Sequence, residues 1–214
     1  MDINFLISFL FSSIALILFC KKKNFIVDLK LEKHKRHSSV SKSFSIGGIL
    51  LLVYLLYYFL YLGNDYLIAS FIFSIFLIGF LSDIKKLNSV SLRFFLQVIL
   101  VFTFTQTLNL EIISTKIDFI DLLLSNIYFN NIFVTFCLMV LINGGNFIDG
   151  LNTFLLSYFL SIYFVLLFFF GSQTSEDFQF LINLMIILII LISLNFSGII
   201  YMGDSGAYIL SLIT

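Results

Sequence analysis

Three short polar segments carry the side chains of this sequence that are best suited to chemistry. Asp83 follows an apolar run, Asn146 and Asp149 lie in a glycine-rich segment, and Asp204 stands between two glycines. Carboxylate and amide oxygens are the hard ligands that Mg²⁺ prefers, and Mg²⁺ is usually shared with phosphate groups. Glycines beside such ligands allow backbone N–H groups to approach phosphate oxygens. These residue types therefore predict phosphate chemistry with a divalent cation.

The composition places this chemistry in a membrane. The chain has 214 residues, of which 60% are hydrophobic and 11% are charged, and its mean hydropathy is +1.10. A soluble domain carries about 25% charged residues, and a soluble fold of this size has too little interior for so much apolar surface. A soluble globular protein, a disordered chain and a basic nucleic-acid-binding protein are therefore excluded. A polytopic membrane protein remains, with the lipid bilayer as a partner and no nucleic acid.

The apolar runs predict an all-α fold of about eight transmembrane helices in one domain, residues 1–214. Most runs are close to the length that a hydrocarbon layer about 30 Å thick requires, and the fifth, about 132–142, reaches it together with its flanking residues. The chain ends inside the last run, so we expect that helix to be incomplete. The predicted spans are about 5–20, 46–62, 66–81, 90–108, 132–142, 151–170, 178–196 and from 206 onward. Segment 143–150 is therefore predicted to be a loop between two spans.

Lysine and arginine predict the orientation of these spans. All but one of the 12 basic residues lie in segments 21–45 and 82–93. Basic loops are enriched on the cytoplasmic side of a membrane. We therefore expect the N-terminus outside and the three polar segments, together with Gly47 and Gly48, at the cytoplasmic face.

Three motifs, in this order, resemble those of the polyprenyl-phosphate N-acetylhexosamine-1-phosphate transferases. This membrane superfamily includes the undecaprenyl-phosphate N-acetylglucosamine enzymes and the phospho-N-acetylmuramoyl-pentapeptide transferases. Segment 79–97 resembles the block Gly-x-x-Asp-Asp…Lys/Arg…Gln, and segment 143–150 resembles Asn-x-x-Asn-x-x-Asp-Gly. Segment 201–206 resembles Phe-Met-Gly-Asp-x-Gly. The resemblance covers nearly the whole chain.

The resemblance implies a specific reaction. An N-acetylhexosamine 1-phosphate would pass from a UDP-sugar to a polyprenyl phosphate such as undecaprenyl phosphate, with release of UMP. The product would start a lipid-linked cell-envelope glycan, such as cell wall or O-antigen. The resemblance also implies Mg²⁺, with Mn²⁺ as an alternative, and a bacterial inner membrane with the active site facing the cytoplasm. The sequence leaves a homodimer open.

The resemblance also assigns roles to individual residues. Acids are assigned to catalysis, one acid and one amide to the metal, and glycine, amide and basic residues to the substrates. The catalytic residues would be Asp83, Asp149 and Asp204, and the metal ligands would be Asp204 and Asn146. The substrate-binding residues would be Gly47, Gly48, Asn143, Asn146, Lys35 and Arg36.

Several features depart from the family pattern and leave alternatives open. Ser82 stands where the family has the first acid of its Asp-Asp pair, and Asn152 stands at a position that is often a second Asp. Family members continue through further spans and a His-rich loop, so we expect this chain to be C-terminally truncated. A non-catalytic remnant of the family is therefore one alternative. A transporter or channel with intramembrane acids is the alternative from another class.

The polar residues also have purely structural interpretations. Asp83 could cap a loop or pair with a lysine that follows it, and Asp204 could cap the last span. Gln97 and Arg93 are four residues apart and therefore share a helix face. Within a span, the amide of Gln97 could simply satisfy a neighbouring helix.

Overall fold

The computed structural model describes residues 3–23, 27–28, 43–149, 153–170 and 176–214, and this part of the chain is almost entirely helical. Each predicted apolar run forms a helix, which confirms the all-α class. A π-helical turn, Tyr58–Leu62, continues the second helix. The helices are α1 (Ile3–Lys23), α2 (Gly47–Tyr57), α3 (Tyr66–Asp83), α4 (Val90–Thr107), α5 (Asp118–Leu124), α6 (Ile127–Ile148), α7 (Phe154–Phe170), α8 (Glu176–Phe196) and α9 (Gly203–Leu212).

The helices have the lengths and surfaces of a multi-pass membrane protein. Large apolar side chains such as Phe11, Phe136 and Phe168 are exposed on helix surfaces, where lipid rather than water is their natural solvent. Within the described residues, four helical segments are long and apolar enough to cross a membrane: Tyr66–Asp83, Val90–Thr107, Ile127–Ile148 and Phe178–Phe196. Shorter apolar helical segments are Ile7–Cys20, Gly47–Leu62 and Phe154–Phe169. The expected number of about eight spans and the external N-terminus stay predictions.

Side-chain caps set where α4 and α6 begin. The Ser89 hydroxyl accepts the N–H of Leu92 at 3.3 Å, and Oδ1 of Asn126 accepts the N–H of Tyr128 at 3.0 Å. Such caps satisfy amides that have no partner within the helix. Helix α6 therefore starts earlier than the predicted span 132–142 and also runs further.

A small three-stranded sheet joins two helix starts. Strand β1 (Val27–Asp28) pairs antiparallel with β2 (Ser43–Ser45), and β2 pairs parallel with β3 (Ile200–Tyr201). Strand β2 leads into α2 and β3 leads into α9, so the parallel pairing sets these two helix starts side by side. No sequence pattern predicts this sheet, because strands of two or three residues are too short to show an alternation of apolar and polar residues.

Helix α9 lies at the centre of the described bundle. It has 10 residues, and every residue from Ser205 to Leu212 is buried. It packs against α2, α3 and α6. A helix that is buried all round has to present small or apolar side chains on every face, and α9 does so after its first turn.

Two glycines permit the close approach of α9 to its neighbours. A Cβ atom added at Gly79 would lie 2.6 Å from the backbone N of Ser205, and one added at Gly48 would lie 2.5 Å from the backbone N of Gly206. Both distances are far below van der Waals contact, and the atoms met belong to backbone that cannot rotate away. Helices α2 and α3 therefore depend on glycine at these positions.

We expect Gly79→Ala to destabilise the protein by about 1–3 kcal/mol or more, because overpacking forces the backbones of α3 and α9 apart. Gly144→Ala is the matched control, since a Cβ there would meet nothing within 4 Å and alanine favours a helix. Thermal unfolding of both variants in detergent measures the difference. Equal melting temperatures of Gly79→Ala and the native protein would contradict the packing described.

Candidate active site

The first turn of α9 collects side chains from three other helices. Asp83 at the end of α3, Arg93 in the first turn of α4 and Asp149 directly after α6 all bond to residues 203–205. The polar segments that were predicted to share one membrane face therefore meet at one end of the bundle.

Asp83 caps α9. Its Oδ1 accepts the N–H of Asp204 at 2.9 Å, and its Oδ2 accepts both the N–H of Ser205 at 3.2 Å and the hydroxyl of Ser205 at 2.7 Å. A carboxylate in this position satisfies helix amides that lack partners, and the helix dipole favours its charge. The alternative in which Asp83 pairs with a following lysine is not observed. Its assignment to catalysis stays a prediction.

Asp149 supports the same turn of α9 from the end of α6. Its Oδ2 accepts the N–H of Gly203 at 3.0 Å. Two acids that are 66 residues apart in the chain therefore hold three successive amides of one helix turn. Both acids therefore help to fix the position of Asp204.

Asn146 and Asn143 lie in the last turns of α6, where the sequence had predicted a loop. Asn146 donates from Nδ2 to the hydroxyl of Tyr208 at 3.0 Å, and its Oδ1 has no hydrogen bond within the described residues. Asn143 donates to the carbonyl oxygen of Met139 in its own helix at 2.8 Å and is exposed. Asn146 therefore faces α9, whereas Asn143 makes no bond to it.

The side chain of Asp204 is bound by two groups from α3 and α4. Its Oδ2 accepts the hydroxyl of Ser82 at 2.5 Å and forms an ion pair with Nη1 of Arg93 at 2.5 Å. Nη1 of Arg93 also donates to the Ser82 hydroxyl oxygen. The Oδ1 atom of Asp204 has no hydrogen bond within the described residues. Asp204 lies in the first turn of α9, which begins after Met202, so it does not occupy the cap position itself.

Helix α4 also buries an unsatisfied amide next to this site. Gln97 is 1% exposed, and neither its Oε1 nor its Nε2 has a hydrogen-bond partner of good geometry in the described part of the chain. Its amide nevertheless lies against the hydroxyl of Tyr208 on α9, so Gln97 does face a neighbouring helix, as the structural interpretation expects.

Gly47 and Gly48, predicted to bind substrate, lie in the first turn of α2 and are buried against the start of α9. The N–H of Gly48 donates to the carbonyl oxygen of Met202 at 3.1 Å. Their observed role is to hold the two helix starts together. Lys35 and Arg36 lie outside the described residues, and all the substrate contacts predicted for these four residues stay predictions.

Asn195, which belongs to no motif, supports the site from α8. It is 3% exposed, its Oδ1 accepts the N–H of Thr153 at 2.6 Å, and its Nδ2 donates to the carbonyl oxygen of Ile200 at 2.9 Å. It therefore ties the chain after Asp149 to the strand that leads into α9. The sequence feature that points to Asn195 is that it is a polar residue inside a predicted apolar span.

The described residues form the helical bundle of a multi-pass membrane protein, with acids and amides gathered at one end. The sequence profile described as Glycosyl transferase family 4 matches residues 66–214. The chain belongs to this family, that of the polyprenyl-phosphate hexosamine-1-phosphate transferases. Searches among curated proteins and among solved structures found no match.

Family membership confirms the resemblance read from the motifs. The family transfers a phospho-sugar to a polyprenyl phosphate, so the protein is a glycosyl-phosphate transferase with a sugar-phosphate donor and a lipid acceptor within the membrane. The match covers the segments that contain Asp83, Asn146, Asp149 and Asp204. It also favours a transferase over the transporter or channel considered above.

We expect Asn195→Ala to cost about 1–3 kcal/mol of stability, because it removes the amide that bonds the half-buried N–H of Thr153 and the buried carbonyl oxygen of Ile200. Transferase activity should fall with it, since the segment after Asp149 loses its link to β3. Ser193→Ala is the control, because the Ser193 hydroxyl bonds only to Ile189 of its own helix and is exposed. Thermal unfolding and turnover of both variants test this. An Asn195→Ala variant as stable and active as Ser193→Ala would refute the link.

Proposed function

We propose that the protein transfers an N-acetylhexosamine 1-phosphate from a UDP-sugar to polyprenyl phosphate and releases UMP. We place this reaction at the cytoplasmic face of a bacterial inner membrane. The observation that carries the proposal is the convergence of Asp83, Asn146, Asp149 and Asp204 on the start of α9. The Arg93 guanidinium beside this turn can bind phosphate oxygens, and the carboxylates there favour a cation. One site can therefore hold a diphosphate together with a divalent cation.

The residues at the start of α9 fit Mg²⁺, with Mn²⁺ as an alternative. The Oδ1 atoms of Asp204 and Asn146 are hard oxygen ligands without hydrogen bonds in the described part of the chain. The carboxylates of Asp83, Asp149 and Asp204 all lie at the start of this helix. The described residues contain no group of three or more His, Cys, Asp or Glu side chains that could enclose a metal ion. Mg²⁺ keeps several waters and is usually held by one or two carboxylates plus substrate phosphates, so a site with Asp204 as its carboxylate ligand suits it.

When bound there, the cation would neutralise charge that develops on the leaving diphosphate oxygen. Asp204 and Asn146 would hold it, and Asp149 and Asp83 would keep Asp204 in position through the amides of α9. The Arg93 guanidinium, which has N–H groups to spare, would add positive charge near the phosphates.

The acceptor phosphate supplies its own nucleophile. The second pKa of a phosphate monoester is about 6, so the group is mostly a dianion at neutral pH. One of its oxygens would attack the sugar-attached phosphorus in line. The bond from that phosphorus to the bridging oxygen would break, and the oxygen would leave on UMP. Because the nucleophile is already ionised, Ser82 in place of an acid removes a candidate base that the reaction does not require.

The basic segment before α2 suits the donor. Lys35 and Arg36 would attract the polyanionic UDP-sugar to the membrane surface. Gly47 and Gly48, which lie beside the start of α9, would border the donor site. Such an arrangement brings a water-soluble donor and a lipid acceptor together at the membrane surface.

We expect Asp204→Asn to lower UMP release by roughly 100-fold or more, because a charged metal ligand is replaced by a neutral amide. The assay uses membranes that contain the full-length protein, with UDP-N-acetylglucosamine and undecaprenyl phosphate. Asp118→Asn is the matched control, since Asp118 starts α5 and has no bond to this site. Undiminished turnover by Asp204→Asn would refute its assignment as a metal ligand.

Removal of divalent cations should abolish turnover. We expect EDTA to reduce UMP release to background, added Mg²⁺ to restore it fully, and added Mn²⁺ to restore it at least in part, because both ions accept oxygen ligands. The N-acetylhexosamine is tested in the same assay by comparing UDP-N-acetylglucosamine with UDP-N-acetylgalactosamine. Full activity in EDTA would contradict the proposed metal dependence.

A further inference from the structure

Asp204 is already paired with a positively charged side chain, that of Arg93. Nη1 of Arg93 lies 2.5 Å from Oδ2 of Asp204, and the two side chains are only 20% and 25% exposed. An ion pair that is largely shielded from water is screened far less than a surface pair. The guanidinium therefore neutralises much of the charge with which Asp204 would attract a divalent cation.

Residue 82 is a serine, so it offers Arg93 no carboxylate in addition to that of Asp204. The Ser82 hydroxyl bonds to both members of the pair but carries no charge. The neighbouring acid, Asp83, uses both of its oxygens on the backbone and hydroxyl of α9. Among the described residues, Asp204 is therefore the one carboxylate that Arg93 contacts.

Arg93 is also only partly satisfied. All of its side-chain hydrogen bonds are made by Nη1, and its Nε is buried without a partner in the described part of the chain. The amide of Gln97, one turn further along α4, is also buried and lies against the Tyr208 hydroxyl without a hydrogen bond of good geometry. Buried donors without partners are costly and call for an explanation. A phosphate oxygen is the chemical group best able to accept from a guanidinium that has N–H groups to spare.

We propose that Arg93 is a resident counter-ion of Asp204 that discourages a divalent cation from binding alone and yields to the diphosphate of the donor. The donor's phosphate oxygens take the unpartnered N–H groups of Arg93, and Asp204 is then free to share the cation with the diphosphate. Arg93 thus acts as a positioning residue that makes the cation and the nucleoside diphosphate bind together. This inference rests on the proposed function for the identity of the donor.

The inference predicts how the affinities are coupled. If the donor strengthens cation binding, the cation must strengthen donor binding by the same factor. Removal of the positive charge of Arg93 should strengthen cation binding without the donor and should weaken this coupling. Replacing Arg93 with another positively charged residue should change neither the affinity for the cation nor the coupling.

The test measures Mn²⁺ binding by electron paramagnetic resonance of free Mn²⁺, with full-length protein in nanodiscs, with and without UDP-N-acetylglucosamine. We expect Arg93→Gln without nucleotide to bind Mn²⁺ roughly tenfold more tightly than the native protein, because a unit positive charge close to the ion is removed. Arg93→Lys, which keeps the charge, should bind like the native protein. Asp204→Asn in the Arg93→Gln background should lose the gain. Thermal unfolding establishes that each variant is folded.

The outcomes separate this inference from the proposed function. If Arg93→Gln binds Mn²⁺ no more tightly than the native protein, although the native protein shows Asp204-dependent binding with nucleotide, the counter-ion role is overturned and the proposed function stands. If no protein shows Asp204-dependent Mn²⁺ binding even with nucleotide, both are overturned. Should Arg93→Gln fail to fold, Arg93→Met serves in its place, with the same expected gain and the same overturning result.

Discussion

The N-terminal amides of α9 are the point on which the rest of the structure depends. Asp149 holds the amide of Gly203, and Asp83 holds those of Asp204 and Ser205. In a low-dielectric bundle, unpaired amides at a buried helix start would be costly, and an uncompensated carboxylate would be costlier still. Each group satisfies the other, so the same bonds stabilise the fold and assemble the site.

Close backbone packing makes these bonds possible. Helix α9 has only 10 residues, so its own length does not fix its position in the bundle. Its position is set by the glycine contacts with α2 and α3 and by the pairing of β3 with β2. With the backbone fixed from several sides, Asp204 presents one oxygen to Arg93 and leaves the other open. The close packing of the apolar helices therefore determines which oxygen of Asp204 is bonded and which is open.

The sequence predicted the helices well, because apolar run length is a local signal. The polar segments that it assigned to one membrane face lie together at the start of α9. The sequence could not predict that Asp83 would cap α9, since that bond joins residues 121 positions apart. Asn143 and Asn146 were expected in a loop because two glycines stand between them. Packing overrides this local preference, and α6 continues through Ile148. Asn195 could not be assigned from a motif, because its two partners come together only in the folded chain.

The central claim is that the start of α9 forms one site for a diphosphate and a divalent cation. An experimental structure of the full-length protein in a lipid nanodisc, with Mn²⁺ and UDP-N-acetylglucosamine, tests it most directly. The account predicts the ion at about 2.0–2.2 Å from a carboxylate oxygen of Asp204, with the diphosphate beside Arg93. An ion and diphosphate bound away from Asp204, with its Arg93 pair intact, would contradict it.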